Sequence, residues 1–219
     1  CYHRFMIALK EGAIPFSCQG PINGLAVEGG MTLGYELLEN LATWEKPLDR
    51  LFLQVGGGAF ASACIQALNE GVNTGLIPSL PRIHPVQTAG CYPLSRAFHG
   101  VLKSLDSEDD LERVMASARQ DRAAYMRPWE SPPESVASGI LDDETYDWAT
   151  IVQGTLQSRG KPVIVTEDQL LAAQRMAQEC GYGVCPTGTS GFAGLLALQS
   201  ANEIGPGERV AVIFTGADR

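Results

Sequence analysis

The stretch Leu51-Phe52-Leu53-Gln54-Val55-Gly56-Gly57-Gly58-Ala59-Phe60-Ala61 decides the fold. A short apolar run ends in three glycines and passes directly into Ser62-Ala63-Cys64-Ile65-Gln66-Ala67-Leu68, a helix-prone segment. This order predicts a buried strand over 51–55, a tight turn, and a helix over 59–70. Glycines at such a turn let the backbone approach an anion closely. The free N–H groups and the positive end of the helix dipole then hold it. A phosphate is therefore expected above Gly56, Gly57, Gly58 and Ala59.

A dinucleotide would be the simplest owner of that phosphate. Gly56-x-Gly58-x-x-Ala61 fits the loose G-x-G-x-x-G/A pattern, which also wants an acidic residue about 20 positions on, at the end of a second strand. The next strand candidate, around 83–87, ends in Pro85-Val86-Gln87-Thr88 and offers no carboxylate. A plain glycine turn packing a helix on a sheet is the competing structural reading.

The chain has 219 residues, enough for one large α/β domain or part of a larger one. A formal charge of -9 argues against a nucleic-acid surface. No run of 18 apolar residues is present, so no membrane span is expected. The cysteines (Cys1, Cys18, Cys64, Cys91, Cys180, Cys185) and the histidines (His3, His84, His99) are scattered without metal-ligand spacing. Free thiols in a reducing cytoplasm are the expectation. The opening Cys1-Tyr2-His3-Arg4 does not look like a natural start, which suggests a piece of a longer polypeptide.

Further elements follow from pattern. Residues 2–11 read as a helix, and 12–31 as a Gly- and Pro-rich connection. Thr32 is expected to cap a helix over 33–41. A strand over 83–87 precedes a short helix over 93–101. Ser107-Glu108-Asp109-Asp110 should cap a helix running to about 124. A helix over 144–157, a strand over 162–165, a helix capped by Thr166 up to about 180, a helix over 191–202 and a buried strand over 209–214 complete the alternation. Alternating strands and helices predict an α/β fold with a parallel sheet.

Four segments, in this order, resemble one family. Glu28-Gly29-Gly30-Met31-Thr32-Leu33-Gly34-Tyr35-Glu36 is similar to an "EGxKT-aromatic-E" lead-in to the large domain. Val55-Gly56-Gly57-Gly58-Ala59-Phe60 is similar to a "GGGGL" phosphate loop. Val165-Thr166-Glu167-Asp168-Gln169-Leu170 with Cys185-Pro186-Thr187-Gly188-Thr189-Ser190-Gly191 is similar to "VTDEEI…EPASAA". Phe214-Thr215-Gly216 is similar to a terminal "LTG" strand end. Together they resemble the fold-type II pyridoxal-phosphate (PLP) enzymes, threonine synthase and serine/threonine dehydratases among them. Ser138-Gly139-Ile140-Leu141 through Trp148 looks most like the threonine synthase version.

The resemblance implies an α/β, three-layer parallel-sheet large domain of the tryptophan-synthase-β-like fold, incomplete at the N-terminus. It implies a small-domain remnant and crossover over 1–27, the large domain over 28–219, and an insertion at about 99–135. It implies a lyase acting by elimination or replacement on a small amino acid, with pyridoxal 5'-phosphate as cofactor. A non-catalytic PLP-fold module binding a ligand or partner is the alternative. Gly56, Gly57, Gly58, Ala59 and Phe60 would hold the cofactor phosphate, and Thr215 would hydrogen-bond the pyridine nitrogen. A neutral hydroxyl there moderates the electron sink, which suits chemistry at the β carbon.

Departures from the family pattern are equally specific. Cys185 stands at the glutamate position of "EPASAA", Gly188, Ser190 and Gly191 replace alanines, and Met31 stands at the lysine of "EGxKT". Glycine at 57, a position often Asn in threonine synthases, leans toward the dehydratase-type loop. None of Lys10, Lys46, Lys103 and Lys161 has the context of a Schiff-base lysine, so all four read as surface residues. That lysine is expected outside this chain, and no catalytic residue is assigned within it. Association as a homodimer, or with the missing N-terminal part, is expected because an incomplete sheet leaves edges and apolar surface.

Overall fold

The strand Arg50–Gln54 (β1) divides its side chains between two cores in the computed structural model, which describes residues 2–217. Leu51 and Leu53 enter one apolar cluster and Phe52 enters the other. Every residue of β1 is buried, as expected of a strand covered on both faces.

The N-terminal helix Tyr2–Lys10 (α1) is followed by Gly24–Ala42 (α2), β1, and Ala59–Asn73 (α3). Next come Arg82–Thr88 (β2), Pro93–Lys103 (α4), Leu111–Gln120 (α5) and the single turn Arg122–Tyr125 (α6). Trp148–Gln157 (α7), Val163–Val165 (β3), Glu167–Glu179 (α8), Pro186–Ser200 (α9) and Val210–Val212 (β4) complete the described chain. The strands form one parallel sheet in the order β3-β2-β1-β4. One face is covered by α2, α3, α4, α5 and α7, the other by α8 and α9, giving three layers.

The longest departure from the sequence expectation is α2. It runs straight through Gly29 and Gly30, which the local pattern assigns to a connection, and Thr32 lies in its interior rather than at its cap. Thr32 turns its hydroxyl back to the carbonyl of Gly29 at 2.8 Å. Tertiary packing overrides glycine's low helix propensity here. A Cβ on Gly30 would stand 3.0 Å from the Ala63 methyl, and one on Gly34 would stand 2.5 Å from that of Ala67. The small residues are what let α2 lie directly on α3.

Other boundaries differ for local reasons. The helix expected from 144 begins at Trp148, because Thr145 and Asp147 are engaged with the glycine loop. The helix expected to reach 124 breaks at Asp121, whose backbone leaves the helical region at ψ 58°. The helix expected over 191–202 starts earlier, at Pro186, whose fixed φ suits a first turn. The strand expected over 209–214 pairs only at 210–212 and forms a half-buried edge. Beyond Val212, the Gln54 side chain takes over the bonding that a ladder would have provided. The cap at Thr166 is realised in full: its hydroxyl accepts from the Gln169 N–H, and the Gln169 side chain accepts from the Thr166 N–H at 2.9 Å.

Candidate active site

The C-terminal end of β1 sits where the strand order reverses: the chain moves to β2 and β3 on one side and returns as β4 on the other. Such a switch point is where open parallel sheets place ligands. Val55 still donates to the Val86 carbonyl at 2.9 Å, and the chain then turns through Gly56, Gly57 and Gly58 into α3. Gly58 is the N-cap residue, with φ +98° and no side-chain cap, so glycine is required there and the first-turn amides of Ala59 and Phe60 have no side-chain partner at the cap.

Residues 140–147 lie over this loop. A Cβ on Gly56 would stand 2.9 Å from Ile140 Cα, and one on Gly57 3.0 Å from the Tyr146 ring. Thr145 Oγ1 donates to the Gly56 carbonyl at 2.9 Å, and the Asp147 N–H donates to the Gly57 carbonyl at 3.1 Å. A carboxylate oxygen of Asp142 lies 3.4 Å from where a Cβ on Gly57 would stand. Burial raises the Asp142 pKa from the ordinary carboxylate value; the Gly57 N–H opposes this, and Asp143 adds to the rise. Flanking contacts pin this acidic segment: Cys91 Sγ donates to the Asp142 carbonyl at 3.1 Å, the Trp129 N–H to the Asp143 carbonyl at 2.9 Å, and Arg122 pairs with Glu144. Burial pushes the Cys91 thiol up to about 11, so it remains a neutral donor.

Thr215 lies beside the same strand end. Gln54 Nε2 donates to Thr215 Oγ1 at 2.5 Å and to the Ile213 carbonyl at 3.2 Å. The N-terminus of α9 closes the other side. A Cβ on Gly188 would stand 2.4 Å from the Gly216 nitrogen, and one on Gly216 would stand 2.2 Å from Cys185 Sγ. A Cβ on Gly191 would stand 3.1 Å from the Phe52 carbonyl oxygen. Glycine at 188 and 191 therefore lets α9 sit on β1 and on the segment after β4. Thr187 Oγ1 accepts from the Gly139 N–H at 3.0 Å, joining α9 to the cover over the glycine loop.

Sequence reading singled out the glycines, Ala59, Phe60 and Thr215, and the fold brings them to one sheet edge. It missed Gln54, Asp142 and Tyr146. Gln54 had a signal, a polar residue inside an otherwise apolar strand. Asp142 belongs to the acidic run Asp142-Asp143-Glu144, which reads as a solvated loop until its packing is known. Met31, at the lysine position of the lead-in motif, is buried in the α2 face of the core. Lys10, Lys46, Lys103 and Lys161 are all exposed, and Lys161 pairs with Glu203 at the opposite edge of the sheet.

The glycine loop fits a phosphate on the chemistry of its donors: three glycines leave the backbone bare at the N-terminus of α3, where no side chain caps the first turn. No carboxylate stands at the end of β2 to receive a ribose. Gln87 there is buried and spends its amide on Val55 and Ser95. Fold and site thus define an α/β protein with a glycine turn and a helix N-terminus at its switch point. The chain belongs to the family described as pyridoxal-phosphate dependent enzyme, which it matches over residues 8–216. The cofactor of that family is pyridoxal 5'-phosphate.

The chain is 28% identical to the threonine synthase of Methanocaldococcus jannaschii over 196 residues, covering 89% of this chain and 42% of that protein. It is 26% identical to the threonine synthase of Mycobacterium bovis, covering 89% and 45%. The chain therefore spans less than half the length of these relatives. Among solved structures it is similar to the T.th. threonine deaminase (TM-score 0.63, 20% identity, 89% of this chain and 57% of that one). It is also similar to the processed threonine deaminase isoform 2 of Solanum lycopersicum (TM-score 0.64, 18% identity, 89% and 46%).

Proposed function

We propose that this chain is the cofactor-anchoring part of a PLP-dependent lyase that performs elimination or replacement on a small amino acid, as threonine synthases or serine/threonine dehydratases do. The observation that carries the reading is the Gly56–Gly58 turn, with no side-chain cap at the start of α3, and Thr215 fixed at the neighbouring strand end. Gly57, Gly58, Ala59 and Phe60 would present backbone N–H groups to the cofactor phosphate, and Gly56 would admit the close approach. Thr215 would face the ring nitrogen. Bound PLP supplies the electron sink for bond breaking next to the substrate amine. The residues over 140–147 would exclude water from the phosphate side. The amine that carries the cofactor would come from outside these residues, because the lysines here are solvated. Action in the cytoplasm and assembly as a homodimer, or with the segment that supplies the lysine, complete the proposal. No described helix is long and apolar enough to cross a membrane.

A second reading, a non-catalytic PLP-fold module, draws on the position of Asp142, whose carboxylate lies over the glycine turn where a phosphate would approach. Assays of the full-length protein with PLP separate the readings. Phosphate release from phosphohomoserine supports the synthase form, and ammonia release from serine or threonine supports the dehydratase form. PLP binding with neither activity would leave the non-catalytic module.

A further inference from the structure

Gln54 is 5% exposed, at the end of the strand that leads into the glycine loop, on the side that faces α9. A buried primary amide takes its orientation from the neighbours it bonds. The Ile213 carbonyl, 3.2 Å away, only accepts, so the amide nitrogen must lie on that side. Its second hydrogen goes to Thr215 Oγ1 at 2.5 Å. Gln54 Oε1 points the other way, 3.2 Å from where a Cβ on Gly191 would stand, and has no partner among the described residues. It does not compete for the Thr215 hydroxyl. Thr215 Oγ1 thus accepts from Gln54, and its own hydrogen is directed away from Gln54 from an exposed position.

We propose that Gln54 is a positioning residue that fixes the Thr215 hydroxyl as a donor toward the cofactor ring, so that the ring nitrogen is held as an unprotonated acceptor. This rests on the PLP reading above and adds to it a residue that touches no cofactor atom. Without Gln54, the hydroxyl rotates freely and offers either its hydrogen or a lone pair. With it, one protonation state of the ring is selected before the substrate arrives.

The test uses the full-length protein and two probes, PLP and its 1-deaza analogue, whose ring has a C–H in place of the nitrogen. The wild type should prefer PLP by about tenfold, the worth of one well-made hydrogen bond. The ¹⁵N resonance of ring-labelled PLP should report an unprotonated nitrogen. Gln54→Met, close in volume but without polar atoms, should shrink the preference to about twofold and move the resonance, leaving affinity for the deaza analogue unchanged. Combined with Thr215→Val it should add nothing further, because both changes remove the same bond. If Gln54→Met does not fold, Gln54→Asn withdraws the amide by one methylene and serves the same comparison. An unchanged preference and resonance, or additive effects with Thr215→Val, would overturn the role of Gln54 while leaving the PLP reading standing. Failure of both probes to bind the wild type would overturn the PLP reading and this inference with it.

Discussion

An oxygen of the Asp142 carboxylate lies over the glycine loop, 2.6 Å from where a Cβ on Gly56 would stand and 3.4 Å from one on Gly57. A side chain of the chain itself therefore fills space over the loop that a phosphate would approach. For a dianion to settle on the full loop, Asp142 must turn away or be neutral.

Asp142→Asn is accordingly expected to tighten PLP binding by about tenfold, roughly 1.4 kcal/mol. The pH dependence has a definite sign. Burial raises the Asp142 pKa, so the group is neutral below that value and charged above it. Wild-type affinity relative to Asp142→Asn should fall as pH rises through it. Equilibrium titration of both proteins across pH checks this, and parallel curves would contradict it.

Glu208 ties the lower edge of the sheet together. It accepts from Arg50 Nε at 2.7 Å and pairs with Arg82, and Arg50 itself is 6% exposed. Arg50 also donates to His84 Nε2 at 3.2 Å, so Nδ1 carries the proton and donates to the Lys161 carbonyl at 3.0 Å. Burial, with Arg50 nearby, lowers the His84 pKa to about 4 and keeps the ring neutral. Glu208→Gln should cost about 2–3 kcal/mol, less than a fully buried pair because Glu208 keeps some solvent contact. The Arg50 hydrogen bond lowers the Glu208 pKa to about 2. Its contribution to stability is present above the ordinary carboxylate range and should be lost between there and about pH 2. Urea titrations of wild type and Glu208→Gln should converge in acid.

Two glycines should respond oppositely to alanine. At Gly188 the new methyl would meet the Gly216 backbone at 2.4 Å, where no flexible side chain can yield. Gly188→Ala should destabilise by about 1–3 kcal/mol. Gly29 lies inside α2 with open space around it, so Gly29→Ala should stabilise by about 0.5–1 kcal/mol. Thermal unfolding of the two variants reads both signs.

Much of this fold was legible where local chemistry and tertiary structure agree. The strand–glycine–helix run at 51–61 and the Thr166–Gln169 box each carry their own signal and formed as read. The N-terminal half of α2 was not legible, because Gly29 and Gly30 argue locally for a turn and only the crossing with α3 makes small residues favourable; its second half falls within the expected helix over 33–41. The cofactor-loop residues could be singled out because glycine at a helix start has few other uses. Asp142 and Tyr146 could not, since their placement arises from contacts between residues far apart in sequence; Gln54 stood out as a polar residue in an apolar strand, but its partner Thr215 did not follow from that.

The central claim is that the Gly56–Gly58 turn binds the cofactor phosphate. Gly57 has no positive φ, so a side chain there does not strain the backbone as one at Gly58 would. Its Cβ would lie 3.0 Å from the edge of the Tyr146 ring, a contact that a small rotation of the ring relieves. The decisive measurement is PLP affinity of the full-length protein carrying Gly57→Asp, with Gly57→Ala as the steric control. A carboxylate beside the phosphate should weaken binding by about a hundredfold, roughly 3 kcal/mol, while Gly57→Ala changes it by only a few-fold. Undiminished PLP binding by folded Gly57→Asp protein would place the phosphate elsewhere and contradict the account.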